Sequence, residues 1–130
     1  MGASSVDAFD NDDAADFAAR LAGAPHWSTI ETTLNAALTA DYIEAPEASE
    51  AVAAAAFVAA AHSGVAGMIP SDHAGLPSVL GPASPALRVL AGEALARVAA
   101  RSELAELWEE SDDGATAWRN TLAAIGARLN

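Results

Sequence analysis

The sequence predicts an all-α fold, a single compact bundle of five to six helices with one long Gly/Pro-rich loop. Three observations carry this. Apolar residues recur at spacings of three and four along most of the chain, and no segment alternates in the manner of a strand. Alanine, the best helix former, dominates the middle of the sequence. Capping residues, prolines and glycines fall where the periodic segments begin and end. At 130 residues the chain fits one domain, 1–130. That length can bury roughly two thirds of its unfolded surface without staples. No internal repeat is visible.

The first helix is expected over Asp12 to Leu21. Asp10 or Asn11 can cap it, and Asp12 and Asp13 suit the positive end of the helix dipole. Phe9 and Phe17 are expected to pack inward, with Phe17 and Leu21 on one face. Gly23 and Pro25 stop the helix. The second starts near Ser28, with Glu31 completing an S-x-x-E capping box and Trp27 stapling the entry. Ile30, Leu34, Ala37 and Leu38 then repeat at helical spacing, and the pattern fades around Tyr42. The third follows Pro46, a favoured first-turn residue. Its run AVAAAAFVAAAH is apolar all round, which predicts the central and most buried helix.

From Ser63 to Ser84 the chain is broken by Gly64, Gly67, Pro70, Gly75, Pro77, Gly81 and Pro82. Loops of this length are usually functional or disordered. Met68, Ile69, Leu76, Val79 and Leu80 imply that this one packs on the bundle, with room for a short helical turn. The next helix spans Pro85 to Arg101, with Leu87, Leu90, Ala94, Leu95 and Val98 inward and Glu93–Arg97 as an i,i+4 pair. SELAELWEES then restarts a helix at Ser102, with Leu104, Leu107 and Trp108 on one face and Glu103, Glu106, Glu109 and Glu110 on the other. A turn at Asp112 to Gly114 leads into a last helix, Ala115 to Leu129, with Trp118, Leu122, Ile125 and Leu129 inward.

Composition excludes several chemistries. The chain has no cysteine, so disulfides, thiolate zinc sites and thiol nucleophiles are absent. It has no lysine, all six basic residues being arginine. A Walker A loop and a Schiff-base enzyme both need that amine. The net charge is −12 and the pI about 4.3. Such a field repels nucleic acid and anionic membrane and attracts a basic protein. No secretory leader is expected, since the residues after Met1 lack a basic and an apolar region. Val6 breaks the myristoylation pattern. Residues 51–71 carry no charge, but they are rich in alanine, contain His62, Gly64, Gly67 and Pro70, have an acidic upstream flank and have nothing basic near either end. They read as a buried helix and not a membrane span.

Several constellations invite chemical readings. Asp10, Asp12, Asp13 and Asp16 could ligate a hard cation. Counting from Asp10, Ala15 and Leu21 stand where an EF-hand loop needs Gly and Glu, so only a looser metal site is compatible, and helix capping explains the same residues. Asp41, Tyr42, Glu44, Glu47 and Glu50 form a clustered acidic stretch at a helix start; a solvated face favoured by the helix dipole explains them, and they are also the candidate partner surface. No glutamate there has a histidine three residues on, as bundle di-metal sites require. His26, His62 and His73 lie on three segments and would have to converge to bind zinc. Ser71, Asp72 and His73 hold triad chemistry in adjacent positions, where a relay rarely aligns, and there is no G-x-S-x-G elbow. Trp27, Trp108 and Trp118 sit at core spacing. No cofactor is implied.

FDNDDAADF at Phe9 to Phe17, SELAELWEES at Ser102 to Ser111 and the closing tryptophan helix together resemble a bacterial domain-of-unknown-function family, DUF4259. The resemblance covers nearly the whole chain in order and spacing. Members typically open with a Met-Gly-Ala-Trp-Gly stretch; Ser4 and Ser5 stand here in place of its Trp and Gly, and Phe17 replaces a Trp. The resemblance implies a small helical domain and no catalytic residues. Charge, size and the lack of a catalytic set, and not the resemblance, lead to the expectation of a cytoplasmic protein-binding domain acting through acidic surface, of immunity-protein or antitoxin type. The alternatives are a small-ligand binder or enzyme that closes the 63–84 loop over a pocket, and a structural homo-oligomer.

Overall fold

The computed structural model describes residues 8, 9, 11–64, 69–111 and 114–130. Among these the chain is all-helical. Seven helices follow in order: α1 (Asp12–Gly23), α2 (Trp27–Thr39), α3 (Ala45–Ser63), α4 (Leu76–Leu80), α5 (Pro85–Ala100), α6 (Glu103–Glu109) and α7 (Gly114–Ala127). A 3-10 turn at Ser71–His73 precedes α4. The helix beyond the expected five to six is α4, inside the Gly/Pro-rich segment. Pro77 can occupy its first turn, because the missing N–H is one the helix leaves unpaired anyway. Ile69 and Leu76 are buried, so this segment packs on the bundle as its apolar residues require, although Val79 faces solvent.

α3 is the axis of the molecule and packs against every other helix. All ten residues from Ala51 to Ala60 are buried, so no solvent face interrupts nearly three turns. Alanine makes this possible, since small side chains let neighbouring helices approach from all directions while the propensity for helix stays high. Phe57 is the large side chain in that stretch. Phe9 meets it edge-on at 5.5 Å and Phe17 lies tilted at 6.4 Å, so the opening FDNDDAADF segment is fastened to the axis by two aromatic contacts. Asn11 caps α1, its Oδ1 accepting the Ala14 N–H at 2.8 Å. Between α6 and α7, Trp108 and Trp118 stack at 6.5 Å and 15°.

Three local expectations are corrected. α2 begins at Trp27 with His26 as N-cap and no side-chain cap. Ser28 therefore lies inside the first turn, two residues past the cap position, and the Ser28–Glu31 box does not form. Arg97 does not pair with Glu93. Its guanidinium donates to the carbonyl oxygens of Leu38 (2.7 Å) and Ala40, which ends α2 at Thr39 well before Tyr42. Leu107, expected inward, is 51% exposed, because Ala105 and Trp108 set the buried face of α6. The Asp112–Gly114 turn falls partly on residues outside those described, as do Met68 and Asp10. Among the described residues, no helix is long and apolar enough to cross a membrane.

Candidate functional site

The acidic stretch after α2 is held in place by the α5–α6 junction. Arg97 on α5 takes the last carbonyls of α2, as above. The backbone then turns extended, and the Ile43 carbonyl accepts the Glu103 N–H at 2.9 Å, an isolated parallel bridge between Ile43 and Ser102. Ile43 and Ser102 are both fully buried. The Ser102 hydroxyl donates to the Val98 carbonyl at 2.7 Å and accepts the Ala105 N–H at 3.0 Å. A buried hydroxyl thus caps α6 and secures the end of α5 with no polar atom left over.

Glu103 crosses to the neighbouring helix. Its Oε1 accepts the Ala45 N–H at 2.7 Å. Ala45 is the first residue of α3, whose leading amides lack partners within the helix. The carboxylate fills that gap, and the dipole of α3 favours its charge. One turn further along α6, Glu106 Oε1 accepts the Tyr42 hydroxyl at 2.9 Å. Tyr42 is 49% exposed. Partial desolvation, then the hydrogen bond to Glu106 and the charges of Glu106, Glu103 and Glu44, push its phenol up to about 12.

The result is an acidic face assembled from two places in the sequence. Asp41, Tyr42 and Glu44 are exposed and Glu47 half-buried. Glu103 and Glu106 join them from α6. Glu50 does not belong to this set in the same sense. It points to α1, where Arg20 pairs with it at 2.7 Å. The other ion pair among the described residues is Arg119–Glu109, so Asp41, Glu44 and Glu47 have no internal counter-ion there. The contribution of Glu103 and Glu106 has no local signature in the sequence. Their i,i+3 spacing put them on one polar face, but no local signal linked that face to Tyr42.

The remaining sequence candidates are scattered. Among the described residues, no group of three or more His, Asp or Glu side chains could hold a metal ion. Asp12 and Asp13 stand in the first turn of α1 and Asp16 is exposed one turn on; Asp10 lies outside the described residues. His26 stands at the N-cap position of α2 without a side-chain cap, and His62 Nε2 lies 2.9 Å from the Asn130 carbonyl oxygen and 3.3 Å from Arg88 Nη1. His73 sits in the 3-10 turn with Ser71 and Asp72, and no side-chain hydrogen bond joins the three among the described residues.

The Gly/Pro-rich segment does form one wall of an open groove of about 360 Å³ against the end of α3. Its lining is Ala60, Ala61, Gly64, Ala74, Pro77, Ser78, Gly81 and Pro82. Gly64 and Gly81 have φ of +75° and +83°, which only glycine adopts freely. The lining offers one side-chain hydroxyl and no titratable group, so it suits a small apolar moiety and supplies no acid, base or charge for a reaction.

Comparison with curated proteins and with solved structures finds no match. The sequence profile of one family, described as "Domain of unknown function (DUF4259)", matches residues 2–121. That span takes in the capped α1 with its two phenylalanines, the acidic face, and the Ser102-to-Trp108 junction, and the chain belongs to the DUF4259 family.

Proposed function

We propose that this chain is a small acidic cytoplasmic protein-binding domain, of immunity-protein or antitoxin type, which holds a basic partner through the face around Tyr42. The observation that carries the reading is the convergence of Glu103 and Glu106 on the Tyr42–Glu44 turn. Like charges held side by side cost stability, and here each is fixed by a specific bond while Asp41, Glu44 and Glu47 go without a counter-ion. A partner bearing arginine or lysine relieves that repulsion on binding and is steered to the face by the net charge of −12. The groove against the end of α3 is open and lined by one hydroxyl and no titratable group, which supports the ligand-binding alternative less well.

Immobilised protein mixed with cell lysate at low salt tests the reading. A basic protein should be retained and should elute as salt rises. An empty column, or retained proteins indifferent to salt, would count against it.

A further inference from the structure

Tyr42 and Leu107 are two large apolar side chains left half exposed, at 49% and 51%. Both are tied to Glu106, one by a hydrogen bond and the other by sequence. Glu106 accepts the Tyr42 hydroxyl, and Leu107 is the next residue. On α6 the positions i, i+3 and i+4 share a face, so Glu103, Glu106 and Leu107 stand together opposite the buried Ala105 and Trp108. A lone exposed leucine is ordinary. Here the exposed leucine shares its helix face with Glu103 and Glu106, and Glu106 is bonded to the exposed tyrosine.

We propose that this outer face of α6, with Tyr42, docks an arginine-bearing segment of another protein, with Leu107 receiving an apolar side chain of that segment. The proposal rests on the reading of the domain as a binder of basic protein and names where and how it binds. Charge complementarity selects the occupant. A second copy of the chain would bring the same negative face, and nucleic acid or anionic lipid would be repelled for the same reason. A cationic segment meets Glu44, Glu103 and Glu106 with attraction. Arginine suits the face better than lysine, because its planar guanidinium can stack on the Tyr42 ring while its fork reaches a carboxylate. The Glu106 hydrogen bond holds the ring ready, which lowers the ordering cost on binding.

The test is a fluorescence-anisotropy titration of the full chain with a labelled short peptide of alternating arginine and leucine, and with its lysine counterpart, at low salt. The arginine peptide should bind more tightly. Tyr42→Ala and Leu107→Ala should each weaken it about tenfold, the scale of one lost cation–π or anchor contact. Tyr42→Phe, which keeps the ring, should hold affinity within about threefold. Val89→Ala, on an exposed site of α5, should leave it unchanged, and circular dichroism confirms that each variant is folded. Equal binding by wild type, Tyr42→Ala and Leu107→Ala would overturn the proposal while leaving a salt-sensitive basic partner possible elsewhere on the acidic surface. So would a wild type that ignores the peptide yet retains a salt-eluted protein from lysate. A wild type that retains neither peptide nor basic protein defeats both this proposal and the reading beneath it.

Discussion

Tyr42 is the chain's single tyrosine, so its ionisation can be followed without overlap from another phenol. The phenol of an unfolded chain titrates near 10, and in the fold it is pushed up to about 12. Between those values the folded protein holds a proton that the unfolded chain has lost. The contribution to stability is therefore complete below about pH 10 and fades as pH rises through that window. Ultraviolet titration should show phenolate appearing well above pH 10 while the fold persists, and Glu106→Gln should bring the midpoint down. A wild-type midpoint near 10 in folded protein would mean the carboxylates do not reach the ring. A second residue, Gly114, is fixed by close approach and not by backbone angle. A Cβ there would stand 2.6 Å from Ser111 Oγ and 2.7 Å from the Trp108 ring. Gly114→Ala should destabilise by about 1–3 kcal/mol, the cost of overpacking, despite alanine's better helix propensity. A neutral or raised melting temperature would contradict that packing.

At the scale of elements, the two sequence signatures turn out to be joinery. Asn11 caps α1 and its phenylalanines grip Phe57; Ser102 caps α6 and its neighbours Glu103 and Glu106 reach to α3 and Tyr42. Asn11→Ala should cost about 1 kcal/mol, as a lost N-cap does. Ser102→Ala should cost more, about 2 kcal/mol, because the Ala105 N–H is left without its buried acceptor; chemical denaturation measures both. These signatures were legible because capping and periodicity are local. A cap at Asp10 or Asn11, which Asn11 supplies, the inward Phe9 and Phe17, the all-round burial of α3, and the buried Trp118, Leu122 and Ile125 of α7 with Leu129 just past it follow from residues within one or two turns. What escaped was tertiary. The end of α2 is set by Arg97, 57 positions beyond Ala40, and the same bonds remove Arg97 from the Glu93 pair that spacing favoured. Likewise Glu50 is neutralised by Arg20, 30 positions away. The acidic stretch from Asp41 to Glu47 was visible in the sequence, whereas its completion by Glu103 and Glu106 depends on how α6 lies against the start of α3.

At the scale of the whole molecule, an alanine-rich axis lets six other helices close around α3, and the acidic residues are left on the outside with few arginines to balance them. The exposed Asp41 and Glu44 and the half-buried Glu47 make no side-chain bond among the described residues, so their charges can be removed without dismantling the junction. Asp41→Asn, Glu44→Gln and Glu47→Gln combined is therefore the variant that separates charge from fold. The most direct measurement is the salt at which a captured basic protein elutes from immobilised wild type and from this triple variant, both verified as folded. The wild type should hold its partner to distinctly higher salt, and the variant should lose it at or near the starting salt. Identical elution from the two columns, or no basic protein on the wild type, would contradict it.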